Sequence, residues 1–277
     1  MTGTLPISTA GRTPLDVARA CAAAARKLML EGYGRVGSVG IKGRGNVVTE
    51  TDFAVETAVR DILHAEYPDH ALLSEETAAD TRSDGWMWVV DPVDGTKNFS
   101  RGIPHFCFTI ALCRAAEPVV ALTLHPLLNE EYAAVLGAGF TVNGTRTTVT
   151  ACQTVQDAVV SVDLGYDETA GADQLDLARG LFPGLQSLRI SGSAALGTAY
   201  LAAGKWDLFV HADLQPWDVA AGLLLVREAG GIVSNHLGAP AAIYDRGIVA
   251  APPAVHSDFF RRAAALGWPG SNPKPRR

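Results

Sequence analysis

Two hydrophobic periods run through this chain, and the elements follow from where one gives way to the other. Thr13-Pro14 starts a helix: threonine is a good N-cap, proline fits the first helical position, and Asp16 lies in the first turn. An Ala-rich run carries that helix to Leu30, and Gly32 and Gly34 end it. Gly37–Gly45, GSVGIKGRG, holds four glycines in nine positions and reads as a mobile loop. A second helix begins near Thr51-Asp52 and runs to Glu66, with Val55, Ala58, Val59 and Ile62 on one face. Residues 70–74 read as a short strand, and Thr77–Gly85 as a polar, turn-like stretch. Trp86–Val90, WMWVV, reads as a buried strand. Further strands are expected at 106–113, 118–125, 131–136 and 158–164, with Asn143-Gly144 as a hairpin turn. Beyond residue 172 the pattern alternates. Helices 172–182, 194–203, 217–229 and 255–265 are interleaved with strands 186–190, 206–211, 231–234 and 247–251. The expected class is therefore α/β, with an α+β N-terminal half and an α/β C-terminal half. Residues 13–150 and 151–266 form the two parts of one unit, and 1–12 and 267–277 are flexible tails.

Composition narrows the class. Hydrophobic residues make up 48% of the 277 and charged residues 19%, a globular balance. Net charge is −6, and no Lys/Arg run precedes the tail SNPKPRR, which argues against a nucleic-acid groove. Cys21, Cys107, Cys113 and Cys152 form no CxxC pair and read as reduced thiols of a cytoplasmic protein. No apolar run reaches the ~18–20 residues of a membrane helix. The N-terminus lacks a basic segment followed by an apolar one, so no signal peptide is expected.

The chemistry concentrates in Trp86–Phe99, WMWVVDPVDGTKNF. Proline bars a ladder hydrogen bond and biases the preceding residue away from α, so the strand is expected to stop at Asp91-Pro92. The turn then holds two carboxylates, Asp91 and Asp94, beside Gly95 and Thr96. Carboxylates at the end of a buried strand are costly unless a cation pairs them, and this all-oxygen set suits Mg²⁺ better than zinc. The plainer reading is a DPxDG turn that only caps the strand.

DPVDGTKNF resembles the signature of the inositol monophosphatase family of metal-dependent phosphatases. Three further segments resemble family motifs and occur in the same order: VTETD at Val48–Asp52, SEET at Ser74–Thr77, and PWDVAAGLLLVREAGG at Pro216–Gly231. The resemblance covers residues 13 to 266. It implies a layered αβαβα sandwich of the inositol monophosphatase and fructose-1,6-bisphosphatase type, a homodimer, and lithium-sensitive hydrolysis of a small phosphorylated metabolite with two or three Mg²⁺ ions. By resemblance, Glu75, Asp91 and the Val93 carbonyl hold a first ion, Asp91 bridges to a second, and Asp94 and Asp218 complete that one. Asp52 and Thr96 look like the pair that orients the attacking water, which Glu75 helps to hold. Gly95 and Thr96 present backbone N–H groups to phosphate, and Gly192, Ser193 and Ala194 lie where the family binds substrate. Asp218 is equally an ordinary first-turn acid and Ser193 an ordinary N-cap.

Two positions depart from the pattern. Asn46 replaces an acid common six residues before Asp52, which bears on the third ion. His211 replaces a Glu that, in the inositol branch, holds ring hydroxyls, and Asp213 follows two residues on. Lys42 and Lys97 either draw in an anionic substrate or are solvated. Glu76 reads as a solvated or structural acid; Trp86, Trp88 and Trp217 read as core; His105, His125 and His211 lack zinc spacing. The substrate candidates are inositol, sugar or polyol monophosphates, histidinol phosphate and 3′-phosphonucleotides. A non-catalytic, partner-binding regulator is the alternative from another class.

Overall fold

The structure, a computed structural model, describes residues 4–35, 37, 39–43, 46–77 and 85–268. Helices α1 (Pro14–Gly32) and α2 (Glu50–Glu66) pack side by side. They cover one face of a seven-stranded sheet of order β3-β4-β5-β6-β7-β8-β9. Its strands are β3 (Ala71–Ser74), β4 (Trp86–Asp94), β5 (Cys107–Arg114), β6 (Glu117–His125), β7 (Glu130–Val135), β8 (Gly139–Val142) and β9 (Thr145–Arg146). Only β3 and β4 run parallel. The other face meets α5 (Ala194–Ala202) and α6 (Pro216–Glu228), which are apolar all round because both sides are buried.

Beyond these helices lies a five-stranded mixed sheet of order β11-β10-β12-β14-β13. It comprises β10 (Val159–Asp163), β11 (Ser187–Arg189), β12 (Leu208–His211), β13 (Ile232–Asn235) and β14 (Ile248–Ala251). Helices α4 (Glu168–Leu181) and α7 (Pro253–Ala265) close its outer face. The layers are thus α, β, α, β, α, as the resemblance implies.

The central strands show why the sequence lacks polar alternation there. Met87 and Val89 face the core shared with α5 and α6, whereas Trp88 and Val90 face the core under α1 and α2. Cys107, Ala111 and Cys113 alternate in the same way with Phe108, Ile110 and Leu112. Both faces of β5 and β6 are therefore covered within one chain. The apolar strands 106–113 and 118–125 thus have no surplus face to offer a second copy.

Several expectations need correction. β4 does not stop at Asp91: it pairs with β5 through Asp94, with a bulge where Asp91 faces Thr109 and Asp94 faces Cys107. Pro92 sits within that bulge, where no ladder hydrogen bond is required of it. A five-residue helix α3 (Thr96–Ser100) follows Gly95, where the sequence suggested only a turn. Part of the glycine-rich segment pairs as an antiparallel hairpin, β1 (Val39–Gly43) with β2 (Asn46–Thr49), with residues 36, 38, 44 and 45 outside the described residues. Residues 4–12, read as loose, lie against the end of α2: the Thr9 N–H donates to the Glu66 carbonyl at 2.9 Å and Arg12 pairs with Glu66 at 3.0 Å. The turn-like residues 78–84 and the tail from 269 onward fall outside the described residues.

Candidate active site

The bulge in β4 sets the geometry. Residues three apart on a regular strand point to opposite faces, but one extra residue restores the parity. Asp91 and Asp94, 2% and 6% exposed, therefore turn toward the same place. Asp218 arrives there from the first turn of α6, where its carboxylate accepts the Gln215 N–H at 2.7 Å. Oxygens of Asp91, Asp94 and Asp218 lie within 4.8 Å of one another.

Each carboxylate is held by its own donors. Asp91 accepts the Val93 N–H at 3.0 Å. Asp94 accepts the Ser193 hydroxyl and the N–H groups of Ala194 at 3.2 Å and Ala195 at 3.0 Å, so it caps α5 from another element. The Cys107 thiol also donates to Asp94, at 3.5 Å. Burial pushes Asp94 up to about 6 despite these bonds. Burial and the neighbouring acids hold Asp91 and Asp218 well above the usual carboxylate range. A cluster of two buried acids and the half-buried Asp218, whose charges raise one another, fits a hard divalent cation.

Glu75 lines the same cavity but stands apart from the three. Lys42 holds it at 3.0 Å and Glu76 at 2.5 Å. Burial nevertheless pushes Glu75 up to about 7, against the attraction of Lys42. Glu76 is structural: its side chain is 2% exposed, and its N–H donates to the buried Glu56 carboxylate at 3.0 Å.

Asp52 serves two elements. Its Oδ2 accepts the Thr49 N–H at 2.9 Å and the Thr49 hydroxyl at 2.5 Å, completing a capping box for α2. Its Oδ1 lies 3.1 Å from the Thr96 hydroxyl, which also lies 2.8 Å from the Val93 carbonyl. One hydroxyl hydrogen serves one acceptor at a time, and Thr96 keeps lone pairs for a water. Asp52 thus caps α2 through Oδ2 and faces the Thr96 hydroxyl through Oδ1. Gly95 makes the junction possible: its φ is +87°, and a Cβ there would lie 3.1 Å from the His105 carbonyl and 3.2 Å from that of Gly192.

The cavity has two connected compartments, of about 450 and about 250 Å³, sharing Asp94, Gly95, Thr96, Tyr166, Asp213 and Asp218. The larger extends to Lys42, Asn46, Glu75 and Trp217, so Trp217 is partly a cavity wall rather than core. Trp88 is core, and His105 stacks on Trp206 away from the site. The smaller compartment holds Gly192, Ser193, Ala194 and His211, all expected to meet substrate. Their donors are largely committed: the Gly192 N–H to Asp163 at 2.8 Å, and Ser193 and Ala194 to Asp94. His211 Nδ1 accepts the Asp213 N–H at 3.2 Å, and burial lowers its pKa, so the ring is neutral with its proton on Nε2.

Sequence reasoning missed four residues here. Asp163, at the end of β10, fixes Ser191 and Gly192. Asn98 donates to the carbonyls of His105 at 2.7 Å and Ser191 at 2.9 Å, joining α3 to the same loop. Arg246 clamps Asp213. Tyr166 lines both compartments. Asn98 stands inside the DPVDGTKNF segment, a signal that was available; the other three carry no local pattern.

Residues 12–266 match the inositol monophosphatase family. The chain belongs to that family. Among curated relatives, it is 37% identical to "Nus factor SuhB" of Escherichia coli (strain K12) over 216 residues, 77% of this chain and 81% of the relative. Its fold matches the IMPase of Thermotoga maritima with a TM-score of 0.83 at 30% identity, covering 91% of this chain and 97% of that one. The inositol monophosphatase of Anabaena matches with a TM-score of 0.81 at 29% identity, covering 91% and 95%. Inositol monophosphatase family members use divalent metals, and this chain carries a candidate acidic site for one.

Proposed function

We propose that this protein is a Mg²⁺-dependent phosphomonoesterase that hydrolyses a small sugar, polyol or inositol monophosphate. The observation that carries this reading is the convergence of Asp91, Asp94 and Asp218 beside the Asp52–Thr96 pair in one cavity. Glu75, Asp91, the Val93 carbonyl, Asp94 and Asp218 would hold the ions. Bound Mg²⁺ supplies charge neutralisation at the phosphoryl oxygens and acidification of water. The chain's own part is positioning. Asp52, fixed by Thr49, accepts the Thr96 hydroxyl, which then presents a lone pair to the attacking water and orients it in line. Backbone N–H groups at Gly95 and Thr96 would meet the phosphate, and Gly192, Ser193, Ala194 and His211, which line the smaller compartment, would border the alcohol half. Asn46 lines the metal compartment as a neutral residue, which favours two ions over three.

Histidinol phosphate and 3′-phosphonucleotides are the alternative substrates within the same chemistry. The relatives named as Nus factors favour a second reading, in which the fold serves as a partner-binding surface in transcription. The intact carboxylate set supports catalysis instead. A cytoplasmic location accords with four free cysteines.

Release of inorganic phosphate from a substrate panel, with Mg²⁺ and with EDTA, tests the reading. Turnover that requires Mg²⁺ and is inhibited by Li⁺ is expected; turnover undiminished in excess chelator overturns the metal assignment. The proposed homodimer predicts light scattering at about twice the 29.1 kDa of one chain; a mass near 29.1 kDa at micromolar concentration overturns it.

A further inference from the structure

The polar groups of the smaller compartment are mostly turned toward the protein. Asp163 accepts the N–H groups of Ser191 and Gly192 and the Ser191 hydroxyl, and Asp213 accepts from Arg246. His211 Nδ1 and the Ser193 hydroxyl are likewise committed. The surface left toward the opening has a different character. Ile190 and Tyr166 are 55% and 51% exposed, Leu164 is half-buried, and Lys97 stands among them.

Lys97 is presented from a rigid base. Thr96 before it is tied to Asp52 and Val93, and Asn98 after it is tied to the carbonyls of His105 and Ser191. Its Nζ lies 4.7 Å from the centroid of the Tyr166 ring, and it has no carboxylate partner among the described residues. Partial burial alone lowers its pKa. An ammonium held on an aromatic face, in a cavity wall and without an acid to neutralise it, lacks a counter-charge that a ligand can supply.

We propose that Lys97 and Tyr166 form a subsite for a second anionic group on the alcohol half of the substrate. That group is a phosphate or carboxylate borne on a ring or hydrocarbon portion that packs against Leu164, Tyr166 and Ile190. This inference rests on the phosphatase reading and narrows it. A neutral polyol phosphate is the poorer substrate, and an aminoalcohol phosphate, which brings like charge to Lys97, is poorer still.

The test uses matched pairs with Mg²⁺: glycerol 1-phosphate against 3-phosphoglycerate, and adenosine 3′-phosphate against adenosine 3′,5′-bisphosphate. The first pair reports on a carboxylate and the second on a phosphate. The wild-type protein is expected to favour the doubly anionic member of at least one pair by about tenfold in kcat/KM, less so as salt rises. Lys97→Gln should cut that ratio about tenfold, chiefly through KM, while Lys97→Arg retains it. A preference for the members that lack the second anionic group, or an unchanged ratio in Lys97→Gln, overturns the subsite while leaving the phosphatase intact. No phosphate release from any member with Mg²⁺ overturns the phosphatase reading, and the subsite with it.

Discussion

The Ser193 hydroxyl donates to the carboxylate of Asp94, and this bond joins the end of β4 to the start of α5. Asp94 thus caps a buried helix while offering an oxygen to the acidic cluster.

The two roles of Asp94 can be separated by substitution. Asp94→Asn keeps an acceptor for the cap and removes the charge that a cation would need. Phosphate release is expected to fall about 100-fold or more, with little change in the urea midpoint. Asp94→Ala loses the cap as well and should cost a further ~1 kcal/mol of stability. Full turnover in Asp94→Asn would remove Asp94 from the ion-holding set.

Arg246 and Asp213 form a second such link. Arg246 Nη2 is 2.5 Å from Asp213 Oδ1, and the Asp213 side chain is 4% exposed. Arg246→Met leaves that acid without its guanidinium and should destabilise the fold by about 3 kcal/mol in urea denaturation. Adding Asp213→Asn should recover part of the loss. A cost below about 0.5 kcal/mol in the single variant would show that the pair contributes little.

His236 should shape the acid limb of stability. Burial pushes its imidazole down to about 4, although its Nε2–H donates to the His211 carbonyl at 2.8 Å. In the unfolded chain it titrates near ~6.5. Between these values the unfolded state binds the extra proton, so stability rises with pH there. The contribution is fully present above about pH 6.5 and is lost as pH falls toward 4, on the order of 3 kcal/mol. His236→Gln should flatten this limb relative to wild type, read by urea denaturation at pH 7.5 and 5. Parallel pH profiles for the two proteins would refute the assignment.

His211 lines the compartment where the substrate alcohol is proposed to sit, and its acceptor capacity bears on ring hydroxyls. With Nδ1 occupied by the Asp213 N–H, it presents only a donor. Asp213 lines the same compartment, with one oxygen engaged by Arg246. His211→Glu is expected to raise kcat/KM for myo-inositol 1-phosphate about tenfold relative to the best panel substrate. An unchanged ratio would mean that His211 does not select the alcohol.

Much of the fold was legible because helix and strand periods are local. α2, α5, α6 and the central strands fall within a few residues of their expected bounds. The failures share a cause. Pro92 looked like a strand end because its effect on the ladder is local, yet the pairing of Asp94 with Cys107 comes from β5. The hairpin of β1 and β2 was hidden by glycines that also serve a two-stranded turn. The apolar runs of β5 and β6, which show no polar alternation, serve two cores, one on each face.

The site divides in the same way. Asp52, Glu75, Asp91, Asp94, Thr96 and Asp218 were visible because their chemistry and motif context lie within short segments. The sequence by itself determined which acids and hydroxyls the chain carries, and on which elements. Only the tertiary structure decided how they are committed: Asp163 to Gly192, 29 positions away, Arg246 to Asp213 across 33, and Lys42 to Glu76 across 34. Hydrogen bonds and ion pairs are set by distances of about 3 Å. Such distances between remote residues exist only once the layers have packed, so no local pattern encodes them.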